Sequence, residues 1–159
     1  MATALDEQVL DLVVSKLATI TIANGYEETV LGVHRPPVDL FDLAAADCPA
    51  LIVRKKTKLT ESNLRLAEDL DLEVEVLCAV DGSAADVHEA LTDLVADVKK
   101  LVHANRLWNN GSSNLAVATR LVEDRIHETE VQEDVASAVV RFLVQARADL
   151  ANPYVTKTI

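Results

Sequence analysis

Residues 70–80 read LDLEVEVLCAV. Leu70, Leu72, Val74, Val76, Cys78 and Val80 share one parity, while Asp71, Glu73 and Glu75 share the other. Strict alternation is the period-2 pattern of a strand with one dry and one wet face. A 3.6-residue period would scatter the same apolar positions around a helix axis. The pattern extends back through Leu66 and Leu64, but Glu68 interrupts the dry parity, so the strand is read from Leu70. Asp81-Gly82-Ser83 follows as a turn, and a long amphipathic helix follows the turn.

That helix is predicted over Ala84–His103. Ser83 with Asp86 has the Ser-x-x-acid start pattern, and Val87, Leu91, Leu94, Val95, Val98, Leu101 and Val102 form the dry face. Asp86 and Glu89 lie early, and Lys99, Lys100 and His103 lie late, as the helix dipole favours. Upstream, Leu5–Ile20 repeats apolar residues at three and four positions, with Thr3 and Asp6 as a capping pair and Asn24-Gly25 as the close. Tyr26–Arg35 has the bias of a strand stopped by Pro36-Pro37. Val38–Pro49 reads as a loop with a helical turn near Leu40–Ala46.

Ala50–Lys56 (ALIVRKK) is predicted as a strand leaving the core for solvent, and Lys58–Asn63 as the exposed tip of a hairpin with the Leu70 strand. Whether Arg54 and Lys56 meet the Asp71, Glu73 and Glu75 row depends on register. Past Trp108, Asn109–Asn114 is a loop. Leu115–Thr129 and Val135–Arg147 are the last predicted strands, with Glu128–Asp134 between them and an extended tail over 151–159. The expectation is one α+β domain over 1–159, order α-β-β-β-α-β-β, with a mainly antiparallel sheet and both helices on one face. The other sheet face would be more polar, or covered by something else.

The chain has 159 residues, half of them hydrophobic, a net charge of −11 and a pI near 4.7. Length suffices for a real core. The sign of the charge disfavours sequence-independent nucleic-acid binding, which draws its affinity from phosphate neutralisation. No apolar run approaches the ~20 residues that span a bilayer, and MATALDEQ lacks the basic and apolar regions of a signal peptide. Cys48 and Cys78 are read as reduced, packing as small apolar residues.

Chemistry-bearing constellations are sparse. His34, His88, His103 and His127 form no short-spaced set with a cysteine, so no metal site is expected. The four glycines are dispersed and form no phosphate loop, and Ser83 lacks a nucleophile-elbow context. No catalytic residue and no cofactor is assigned. Carboxylates two residues apart on a strand face lie roughly 6–7 Å apart. The row formed by Asp69, Asp71, Glu73 and Glu75 therefore reads as a solvated face or a subunit contact rather than a cation site. Arg54, Lys55, Lys56 and Lys58 are the basic cluster, read either as contact for an acidic partner surface or as an inert solvated tip. These residues with Asp71, Glu73 and Glu75 are the candidate interface. Trp108 is read as closing the core, with an interface anchor as the alternative.

In order and texture the elements resemble the tail terminator (tail completion) proteins of long-tailed bacteriophages. The likeness is carried by LDEQVLDLVVSKLATI, by a strand ending Val33-His34-Arg35 before prolines, and by CPALIVRKK over Cys48–Lys56. It continues through LEVEVLCAV, ADVHEALTDLVADVKKLV and VVRFLVQARADLANPY. The resemblance implies a structural virion protein of the head–tail junction, not an enzyme. Such a protein would form a hexameric ring on the tail tube, stop tube growth and present a joining surface to the head. The implied partners are further copies of the chain, the tail tube protein, a head completion or connector protein and the tape-measure protein. DNA would pass an acidic lumen without specific binding, and no membrane is involved. The resemblance transfers no individual contact residue. Alternatives are another neck connector, or a small acidic ligand-binding domain or enzyme using His34, Cys48 or the Asp71/Glu73/Glu75 face.

Overall fold

In a computed structural model of the chain, residues 4–62, 67–83, 85–132, 135–149 and 152–156 are described. The alternating stretch lies within a strand, β3 (Ala67–Asp81), at the middle of one sheet. Before it come helix α1 (Leu5–Leu17), β1 (Gly32–His34) and β2 (Ala50–Ser62). After it come helix α2 (Val87–Ala104), β4 (Ala118–Gln132), β5 (Val135–Asp149) and β6 (Asn152–Thr156). The sheet order is β1-β2-β3-β5-β4, with β6 paired to β5. Every pairing is antiparallel except β1 with β2. The chain is therefore an α+β fold, mixed but mostly antiparallel.

Two long hairpins, β2–β3 and β4–β5, are joined along β3 and β5 from Ala67↔Asp149 to Asp81↔Val135. The dry parity of β3 is buried throughout, with Leu72, Val74, Val76 and Cys78 fully excluded from solvent. It shares one core with Leu51 and Val53 of β2, and with Val140, Phe142 and Val144 of β5. The apolar stripes of both helices pack onto this same face. Each fully buried Leu, Val or Phe contributes about 1.5–3 kcal/mol, so this face carries most of the hydrophobic stabilisation. Trp108 closes its end: buried, it stacks on Phe142 at 5.9 Å between centroids, and its indole N–H donates to Thr119 Oγ1 at 3.0 Å.

Several expected boundaries differ. Tyr26–Arg35 is a strand only over Gly32–His34, and it runs parallel to β2. Its first half is an irregular turn held by long-range bonds, including Leu31 N–H to the Pro49 carbonyl. Helix α1 stops at Leu17 rather than Ile20, although Ile20 is still buried. Its N-cap is Ala4 without a side-chain cap, and the Thr3 half of the expected capping pair lies outside the described residues. Ser83 does not cap α2; its backbone and hydroxyl both donate to Asp81 Oδ1, at 2.9 and 2.7 Å, closing the turn after β3. The N-cap position is Asp86, and the helix begins at Val87.

Both hairpins are longer than the sequence pattern suggests. Residues Lys58–Ser62, expected in an exposed tip, continue β2 opposite Leu72–Glu68. Asn63, the last residue of that expected tip, lies outside the described residues. Strand β4 runs to Gln132, so most of the expected Glu128–Asp134 link is strand. The tail forms a sixth strand, Asn152–Thr156, against the end of β5. Polar side chains do not stop a strand whose backbone groups are paired on a neighbour.

Candidate functional site

The face of the sheet away from the helices is built from the other parity of the same strands. Along β3 it presents Ala79, Leu77, Glu75, Glu73, Asp71 and Asp69 in turn. The first two are covered by the 38–49 segment, whose Leu40 and Leu43 pack on the Ile52–Leu77–Val139 row and on Cys48, Ala79 and Val135. Short polar residues shape that segment. The Asp39 carboxylate accepts from Phe41 N–H at 2.8 Å, and Asp39 N–H donates to Asp42 at 2.9 Å, giving a capped turn over Leu40–Asp42. A second turn, Ala45–Asp47, is held by Ala44 N–H donating to Asp47 at 2.8 Å.

Below this cover the face becomes charged. Arg54, Glu75, Arg141 and Glu123 are successive register partners across β2, β3, β5 and β4. Glu75 lies on the face expected for it but is only 5% exposed, so that face is not wet at this position. Arg141 Nε donates to Glu75 Oε2 at 3.1 Å; Lys56 Nζ approaches the same oxygen at 3.7 Å, and Arg54 approaches Oε1 at 3.9 Å. Arg141 also reaches Glu123 at 3.2 Å, and Arg125 meets the other oxygen of Glu123 at 3.7 Å. A buried carboxylate left alone would cost several kcal/mol, and here three cations compensate it. The row and the groove beside it hold four cations, Arg54, Lys56, Arg125 and Arg141, against three carboxylates, Asp39, Glu75 and Glu123, in a chain of net charge −11. Together they are a cationic island. Nearer the hairpin end, Arg147 bonds Asp69, its register partner.

A groove of about 380 Å³ opens where the 38–49 segment meets this row. Leu77 and Val139 line it together with Arg54, Arg125 and Arg141, and Phe41 at its rim is 76% exposed. A large aromatic so exposed beside guanidinium groups has the composition of an interface centre.

Of the expected interface residues, the structure brings together Arg54, Lys56 and Glu75. Lys55 points the other way: it donates to Asp6 and Glu7 of α1 at 3.2 and 3.1 Å, tying β2 to the helix layer. Burial works to raise the Glu7 carboxyl, but hydrogen bonds from Lys55 and Arg35 outweigh it and hold the pKa below its ordinary value. Lys58 lies opposite Leu72, and its side chain is outside the described set. Asp71 and Glu73 are half-buried on the outer face, two and one strand positions below Glu75 along that parity. Arg141, Glu123 and Arg125 complete the row and were not singled out from the sequence.

A second charged feature was also missed. Asp97, on the dry stripe of α2, is 3% exposed and accepts from the backbone N–H groups of Glu27 and Glu28 at 3.1 and 2.9 Å. It thereby pins the 27–28 turn to the helix layer. Glu27, Glu28, Asp86 and Asp93 gather around it as an acidic surface. Burial first, then the fields of Asp93, Asp97, Asp86 and Glu27, push the Glu28 carboxyl above its ordinary pKa.

The alternative candidate residues occupy different settings. His34 lies on β1, its imidazole folded over Gly32. Cys48 is buried against Ala79 and Val135, and burial, then Asp47 and Asp81, push its thiol up to about 11. Cys78 is wholly in the core and is pushed up to about 12 by burial. Thiols so shifted are poor nucleophiles near neutrality. Among the described residues no group of three or more His, Cys, Asp or Glu is arranged to hold a metal ion, and no helix is long and apolar enough to cross a membrane. Neither the models of known protein families nor the curated proteins give a match to this chain.

Proposed function

We propose that this chain is a structural virion protein, a tail terminator that closes into a ring, hexameric in the form its sequence resemblance implies, on the head-proximal end of a phage tail tube. There it would stop tube polymerisation and offer the head its joining surface. The observation that carries the reading is the asymmetry of the sheet. One border is β1 followed by β2 beyond Ile52, the other is β4 followed by β6, so one copy presents two unlike borders. Ring closure needs two different patches that meet head to tail, whereas a twofold dimer needs one self-complementary patch.

Exposed apolar side chains support the same reading. Six of the seven large hydrophobics exposed among the described residues flank the starts of the edge strands: Ile22 and Leu31 before β1, and Leu107, Val117, Leu121 and Val122 around the start of β4. Such side chains are expected where subunits or the tube protein cover them. Their arrangement agrees with a chain that works through its borders. Adding the purified chain to polymerising tail tube protein tests the proposal: tubes should stop growing and carry a ring at one end in negative stain. Tubes that elongate at the unmodified rate with bare ends would exclude it.

A further inference from the structure

Resting on that ring reading, we infer that neighbouring subunits meet with the Glu27–Glu28 turn of one copy seated in the Arg54–Arg141–Arg125 groove of the next. The two surfaces are complementary in charge. The groove is lined by three guanidinium groups, Arg54, Arg125 and Arg141, against the carboxylates of Asp39 and Glu75, with Lys56 adjoining. Its arginines retain exposure, 34% for Arg54 and 56% for Arg125, so guanidinium donors remain available to a partner. Opposite in sign, the turn is crowded by Asp86, Asp93 and Asp97, and neither Glu27 nor Glu28 forms an ion pair among the described residues. Burial first, and then the neighbouring carboxylates, hold Glu28 above its ordinary pKa; an incoming guanidinium would offset the carboxylates' part.

Placement makes the contact head to tail. The groove lies on the outer sheet face under the 38–49 segment, whereas the turn is fastened by Asp97 to α2 on the opposite, helix-covered side. One copy therefore cannot join them internally, and a single turn-in-groove contact leaves the groove of one copy and the turn of the other free. Such an interface propagates, closing as a ring or continuing as an open filament. Phe41, 76% exposed at the groove rim, supplies an apolar anchor beside the charges. The occupant is a second copy of this chain because the matching acidic surface is on the chain itself.

Paired charge reversal tests this. One full-length variant carries Lys56→Glu and Arg125→Glu; the other carries Glu28→Lys and Asp93→Lys. All four sites are partly or largely exposed and none anchors the core. Each variant alone should associate at least about tenfold more weakly than the parent chain, because like charges then face each other. An equimolar mixture should restore rings, with the variants alternating. Glutamine at the same positions, weakening association less, keeps the test if a reversed chain does not fold by circular dichroism. Variants that form rings as the parent does, or a mixture of folded variants that stays apart, would overturn the contact while leaving the ring intact. Rings that form but fail to bind tubes would overturn it too, assigning the groove to the tube protein. A parent chain that forms no ring, alone or on tubes, would remove the ring reading itself.

Discussion

The two faces of the central sheet are made by alternate residues of the same strands, yet they are stabilised by different physics. On the helix-covered face, every β3 side chain from Leu70 to Val80 is apolar and at most 2% exposed. Packing there is continuous and insensitive to salt or pH. The outer face changes along its length from an apolar strip under the 38–49 segment to the Arg54–Glu75–Arg141–Glu123 row. Ion pairs of this kind contribute little net stability once desolvation is counted, but they demand particular partners. The difference teaches a division of labour: one face holds the fold, and the other carries the charged row on which the proposed recognition rests.

The sharpest way to break the contrast is to remove one large side chain from each face. Phe142→Ala should cost about 3–5 kcal/mol, since it opens a cavity under Trp108 in the closed core. Val139→Ala, on the outer strip, should cost about 1 kcal/mol. Urea unfolding of both variants measures the gap, and equal losses would contradict the assignment of the main core to the helix side.

Next in size is the charged row. Glu75→Ala should cost about 1–3 kcal/mol, because it leaves Arg54, Lys56 and Arg141 facing one another without their shared acceptor. Added salt should narrow that loss by screening the cations, whereas the Phe142→Ala loss should not respond in that way. Thermal unfolding at low and high salt separates the two behaviours.

The smallest effect has the opposite sign. Glu28 has a folded pKa raised above its ordinary value of 4.5, so any stability linked to its protonated form is lost as pH rises through the folded pKa. Glu28→Gln should therefore stabilise the subunit at neutral pH, by a few tenths of a kcal/mol given its partial exposure. The gain should vanish once the parent carboxyl is protonated in both states, below the ordinary value. The same substitution should weaken self-association, because the groove loses a counter-charge. Stability and assembly moving in opposite directions would sharpen the distinction between holding and recognising.

Much of the holding face could be read directly. The parity of LDLEVEVLCAV gave β3 and its buried side, and the three- and four-residue spacing located both helices and nearly all of their dry residues. The charged outer face was harder because it depends on register. Arg54 and Glu75 are 21 positions apart and Glu75 and Arg141 are 66 apart, and nothing local aligns them. Lys55 looked like part of a basic cluster until its parity and the register shift before Thr57 placed it against α1. Asp97 did leave a local mark, a carboxylate three residues after Leu94 and four before Leu101 on the dry stripe. Its role depends on the Glu27–Glu28 backbone, about 70 positions away, which no helical pattern reveals. The short β1 was overestimated for the same reason, since the turn before it is held by partners far along the chain.

Solution mass is the most direct test of the central account, that this fold reserves its outer face and edges for copies of itself. Light scattering on the purified chain, with negative-stain images of the same sample before and after adding tail tubes, decides it. The account predicts open-centred rings, formed in solution or on tube ends. A chain that stays monomeric in solution and leaves added tubes bare would contradict it.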